Sequence, residues 1–92
     1  LRKIRSDLSE TQIVTFDELD VDVLELTPDK ESPVCGKPLS EVSFPKASIV
    51  GVINHHGHLT IARGSSQLTE EDTVLVFAKN SVTERVRKLF IA

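Results

Sequence analysis

Tryptophan, tyrosine and methionine are absent from this chain, and cysteine occurs once, at Cys35. A lone cysteine excludes an internal disulfide and fits a reducing, cytoplasmic setting. Phenylalanine occurs four times, which leaves too few aromatics for the stacking platforms of single-strand binders. The formal charge of −3 lacks the basic stripe through which nucleic-acid binders displace counterions. No nucleic-acid partner is therefore expected. The longest apolar runs, such as Ile49 to Ile53, are far too short to cross a bilayer, so no direct membrane insertion is expected. No secretory signal is visible. The chain opens on Leu1-Arg2-Lys3-Ile4-Arg5 without an initiating methionine, and reads as part of a longer protein that holds the main activity.

What remains is a chain of 92 residues, enough for one small domain. A domain of that size buries about two-thirds of its unfolded surface, so its core is thin and a partner surface would help it. Leu1, Ile4 and Leu8 share a helical face, and residues 1 to about 10 read as a helix tail. Residues 11–16 are β-branched enough to be extended, and residues 17–22 form an acidic loop or short turn. Val21 to Thr27 alternates as a strand does. Pro38 can open a short helix, which ends by Ser43 because Phe44 precedes a proline. Ser48 to Asn54 and His58 to Arg63 form two strands around His55-His56-Gly57, with Gly57 supplying the positive φ of a tight hairpin. Asp72 to Ala78 is the clearest strand. Ser81 and Glu84 have the spacing of a capping box, and Val82, Val86, Leu89 and Phe90 line one face of the helix that follows. Glu84 precedes Lys88 by one turn, a favourable ion-pair spacing. The fold class is α+β: a small, mostly antiparallel sheet in the order β-α-β-β-β-α, preceded by a helix tail. Residues 1–19 are the tail and linker, and residues 20–92 the domain.

Chemistry is sparse. His55, His56 and His58 invite a metal reading, but their spacing crosses a turn glycine and no cysteine or carboxylate stands near in sequence. Exposed hairpin-tip residues are the plainer reading. The acidic residues Asp17, Glu18, Asp20, Asp22 and Glu25 lack the central glycine and ligand ladder of a calcium loop and read as a solvated face. Cys35 has neither a base nor an electropositive setting nearby, and is expected to be structural. Gly36-Lys37 lacks the rest of a phosphate loop. Ser65 and Ser66, following Arg63-Gly64, offer hydroxyls and a cation that could meet a phosphate. With no nucleophile–base pair or paired carboxylates, no catalytic residue and no metal ligand are assigned, and the chain is not read as an enzyme.

Four segments, taken in order, carry a family resemblance. Gly36-Lys37-Pro38-Leu39-Ser40-Glu41-Val42-Ser43-Phe44-Pro45 follows a G-K-x-L-x-E-L-x-F-P pattern. Ile61-Ala62-Arg63-Gly64-Ser65-Ser66-Gln67-Leu68-Thr69-Glu70-Glu71-Asp72 follows I-P-x-G-x-T-x-L-x-x-G-D, with Ala62 in place of proline and Glu71 in place of glycine. Val74-Leu75-Val76-Phe77 and Val86-Arg87-Lys88-Leu89-Phe90 complete the set. Together they resemble the TrkA C-terminal domain, also called the RCK C-terminal domain, over about residues 20 to 91. The V-x-K-L-F ending is closer to potassium-uptake regulators than to channels. Residues 1–7 resemble the end of the helix that leaves a preceding nucleotide-binding domain.

The resemblance implies a cytoplasmic module, peripheral to the inner face of the membrane, that forms a homodimer and senses a small nucleotide-type ligand. Through the full-length protein it would gate a membrane potassium-translocating subunit. Relatives include regulatory domains of other channels and antiporters, and a purely structural dimerisation module stays open. No cofactor is expected within this stretch. NAD, NADH, ATP or ADP would belong to a Rossmann domain elsewhere in the protein, and cyclic di-adenylate is the ligand of some relatives. Ile49 and Val50 open the strand near which that ligand lies, and Asn54, His56 and Arg63 are the further expected contacts.

Overall fold

A computed structural model describes the backbone of residues 2–5 and 12–92, and the side chains from Glu18 onward. The strands are β1 (Arg2–Arg5), β2 (Gln12–Phe16), β3 (Val21–Leu26), β4 (Ser48–His55), β5 (His58–Ile61) and β6 (Asp72–Lys79), and the one α-helix among the described residues is α1 (Thr83–Leu89). The strands lie side by side in the order β1-β2-β3-β6-β4-β5, and every pairing is antiparallel. The four strands β3-β6-β4-β5 form the body of the sheet, and β1 and β2 extend it beyond β3.

Four expectations change. The helix tail is replaced over Arg2–Arg5 by a strand paired with Gln12–Thr15; the rest of that expected helix lies outside the described residues. Three apolar positions in ten fit a helix, but so short a stretch cannot choose its own state, and pairing with the next strand in the sequence decides it. The expected short helix after β3 is a single 3-10 turn, Leu39–Glu41, closed by an extended Val42. The capping box does not form. A 3-10 turn occupies Asn80–Val82, α1 starts at Thr83, and no side chain caps either one. The Thr83 hydroxyl instead donates to Asp22 Oδ2 at 2.5 Å across the domain. Glu84 pairs with Arg87 at 2.7 Å rather than with Lys88.

Alternation sorts the body of the sheet into two faces. Leu24, Leu26, Val74, Val76, Ala78 and Ile53 point inward and are buried. Val34, Leu39, Val42, Leu68, Val86 and Phe90 cover them from the loops and α1. The covering layer is stitched by its backbone: Asp29 N–H donates to Phe90 O at 2.8 Å, Val34 N–H to Leu89 O at 3.2 Å, and Gly36 N–H to Leu68 O at 3.1 Å. Asp22 shares the inward phase of Leu24 and Leu26, and is buried against Thr83. That corrects the reading of the acidic stretch as wholly solvated.

The outward positions form the opposite face. Register aligns Val23 with Phe77 and Phe77 with Ile49. It aligns Leu75 with Val52 and Val52 with Ile61. This face carries no layer among the described residues: Ile49, Leu59 and Ile61 are 69%, 64% and 71% exposed.

Candidate functional site

Strand β4 is where the two faces and the candidate residues meet. Its register against β6 slips between Val50 and Val52, a bulge at Gly51. A Cβ at Gly51 would stand 2.8 Å from Phe77 Cε1, so the outer ring lies directly over the glycine. Bulges bend the strand and re-aim the residues around them. Ile49 faces outward into a hollow of about 220 Å³ shared with Val21, Lys46 and Phe77. Val50 faces inward.

Val50 and Arg63 line a second hollow of about 230 Å³, with Leu39, Ser40, Phe44 and Gly64. The loop after β5 is zipped onto the 3-10 turn: Leu39 N–H donates to Ser66 O and Ser40 N–H to Gly64 O, each at 2.9 Å. Arg63 N–H donates to Ser66 Oγ at 2.9 Å. A Cβ on Gly64 would meet Ser40 Cβ at 3.3 Å, so glycine lets the two segments close. Arg63 is exposed and makes no ion pair among the described residues. An apolar pocket with one cation at its rim suits an anionic ligand carrying a flat apolar body.

The expected contacts therefore do not form one cluster. Val50 and Arg63 are brought together, while Ile49 faces the other side of the sheet. Asn54 and His56 belong to the hairpin end. There His56 and Gly57 both have positive φ, 52° and 86°, the signature of a type I′ turn. Asn54 Oδ1 accepts from Gly57 N–H at 2.8 Å.

The hairpin end also holds what sequence reasoning missed. Pairing of β4 with β6 sets His55 opposite Asp72, and His55 Nδ1 lies 2.5 Å from Asp72 Oδ1. His56 Nε2 lies 2.7 Å from Glu71 Oε1. Asp72 is buried, and its second oxygen accepts from Thr69 N–H at 2.8 Å. Carboxylates thus do stand beside the histidines, brought there from the turn into β6. His58 sits across the hairpin from His55, outside this cluster. Cys35 is a thiol rather than a nucleophile: burial, with a smaller contribution from Glu70, pushes its pKa above the ordinary cysteine range.

The TrkA-C domain family model matches residues 23–91. The chain belongs to the TrkA-C domain family. It is 36% identical over 78 residues to the Trk system potassium uptake protein TrkA homolog 2 of Methanosarcina mazei, covering 85% of this chain and 17% of that protein. It is 35% identical over 69 residues to the TrkA homolog of Pyrococcus horikoshii, covering 74% of this chain and 30% of that protein. With the TrkA homolog of Archaeoglobus fulgidus it shares 28% over 79 residues, 86% of this chain and 18% of that protein. The TrkA-C chain spans less than a third of the length of these relatives.

This TrkA-C domain tolerates its departure at Glu71. The turn from Thr69 to Asp72 closes through Asp72 N–H to Thr69 O at 3.1 Å. Glu71 is not among the positive-φ residues, so the turn does not need glycine there. Among the described residues, no helix is long and apolar enough to cross a membrane.

Proposed function

We propose that this TrkA-C domain is a ligand-sensing, dimerising regulatory module of a Trk-type potassium-uptake system. The observation that carries the reading is the uncovered outer face, on which Ile49, Phe77, Leu75, Val52 and Ile61 form aligned apolar rows. Contiguous apolar surface of this kind marks an interaction site, and a second copy of the same sheet is a self-complementary partner for it. In the full-length protein, peripheral to the inner face of the membrane, the module gates the potassium-translocating subunit. A ligand that prefers one arrangement of the dimer shifts the population of open and closed states by its differential affinity.

The ligand is a nucleotide-type anion held at the hollow of Val50 and Arg63, with cyclic di-adenylate the first candidate. That hollow, at about 230 Å³, is smaller than the ~300–1,000 Å³ of ordinary ligand pockets. A nucleotide therefore extends beyond the hollow, past the exposed Arg63. NAD, NADH, ATP and ADP are assigned to a nucleotide-binding domain elsewhere in the protein. The module itself performs no catalysis.

Calorimetric titration of this chain with cyclic di-adenylate, ATP, ADP and NADH tests the ligand, with sedimentation equilibrium run in parallel. Binding to a dimer, weakened by Arg63→Ala, is expected. A dimer silent to every nucleotide leaves the architectural reading, which the apolar face favours independently of any ligand. A silent monomer removes both.

A further inference from the structure

We propose that the β4–β5 hairpin and the turn into β6 form a surface site for one divalent transition-metal ion of the zinc class, ligated by His55, His56 and Glu71. One potential ligand atom from each of these residues lies within 4.8 Å of the other two. Tetrahedral zinc, with bonds of about 2.0–2.2 Å to nitrogen and carboxylate oxygen, spaces its ligands about 3.4 Å apart. Side-chain adjustment of less than ~1.5 Å closes the triad on an ion of that size. Two imidazoles and one carboxylate form a borderline donor set suited to zinc, with a coordination position left for water.

Two features distinguish the group from polar residues met by chance on a surface. Asp72 is 4% exposed and is fixed on two sides. One oxygen holds His55 Nδ1, and the other accepts from Thr69 N–H and the Thr69 hydroxyl. Metal-bound histidines ordinarily give their second nitrogen to such a carboxylate, which sets the ring's orientation and raises its basicity. Asp72 thus leaves Nε2 of His55 open to the ion. The backbone supplies the second feature. His56 is held at φ 52° by the hairpin turn, a left-handed conformation that histidine adopts more readily than most residues. The strand pairing that places His55 opposite Asp72 also brings Glu71, its neighbour in sequence, to His56. The site depends on neither a nucleotide nor a second subunit. Ion binding would clamp the hairpin tip to the turn into β6.

Titration of the metal-free chain with Zn²⁺, followed by calorimetry and by melting temperature, tests the site. His56→Asn removes the imidazole and keeps the turn, because asparagine tolerates positive φ. Glu71→Gln removes the carboxylate from an exposed position. Expected is one Zn²⁺ per chain, a zinc-dependent rise in melting temperature, and loss of affinity by about 10-fold or more in either variant. Both variants should melt within a degree or two of the parent without zinc, and His58→Ala should bind zinc as the parent does. Absence of zinc binding, or binding unchanged in both variants, overturns the proposal. So does binding lost in His58→Ala and kept in the other two.

Discussion

The two faces of the sheet are built from the same strands and both carry apolar residues, yet among the described residues only one of them is covered. On the inner face, Leu24 and Val76 meet a layer of loops and α1 that excludes water and leaves both 0% exposed. On the outer face, Phe77, the residue after Val76, and its register partner Ile49 are 39% and 69% exposed and meet nothing comparable among the described residues. A β-strand that buries one face normally turns polar residues to the other. Here β4 and β6 carry apolar residues on both, the pattern of a sheet meant to be covered twice. The inner face builds the fold, and the outer face is the one proposed above to meet a second copy.

That contrast predicts a graded series of effects. Leu24→Ala empties part of the inner core and should cost about 2–5 kcal/mol in urea denaturation. Asp22→Ala leaves the buried Thr83 hydroxyl without its carboxylate and frees the start of α1. A loss of about 1.5–3 kcal/mol is expected, read from the same denaturation curves. Gly51→Ala presses on the Phe77 ring, which is 39% exposed and free to swing outward. Its cost should be near the low end for overpacking, about 1 kcal/mol. Ile61→Lys, on the bare face, should change stability by less than ~0.5 kcal/mol when both chains are measured at concentrations low enough to be monomeric. Equal costs for Leu24→Ala and Ile61→Lys would break the distinction between the faces.

Much of this was legible beforehand. Strands β3 to β6 follow from alternation, and the hairpin from Gly57, because each signal is local. The inward phase of Asp22 was also readable, two residues ahead of Leu24 in a strict alternation. Charge composition drew attention to the solvent instead. The expected capping box failed for a related reason: Ser81 and Glu84 have the right spacing, but Thr83 found a stronger partner 61 residues away. β1 was not legible, since its state depends on pairing with β2. The metal triad was least so. His56 and Glu71 are 15 residues apart, and only the register of β4 on β6 brings them together. Of the expected ligand contacts, Val50 and Arg63 converge because the loop after β5 folds back onto the Leu39–Glu41 turn, a contact that strand periodicity does not report.

Sedimentation equilibrium of the parent chain and of an Ile49→Thr, Ile61→Lys variant tests the assignment of the outer face most directly. The two substitutions keep strand-compatible side chains but interrupt the apolar rows. The parent should sediment as a dimer and the variant as a monomer, with both giving the same circular dichroism spectrum. A parent that stays monomeric at high concentration, or a variant that remains fully dimeric, would contradict the account.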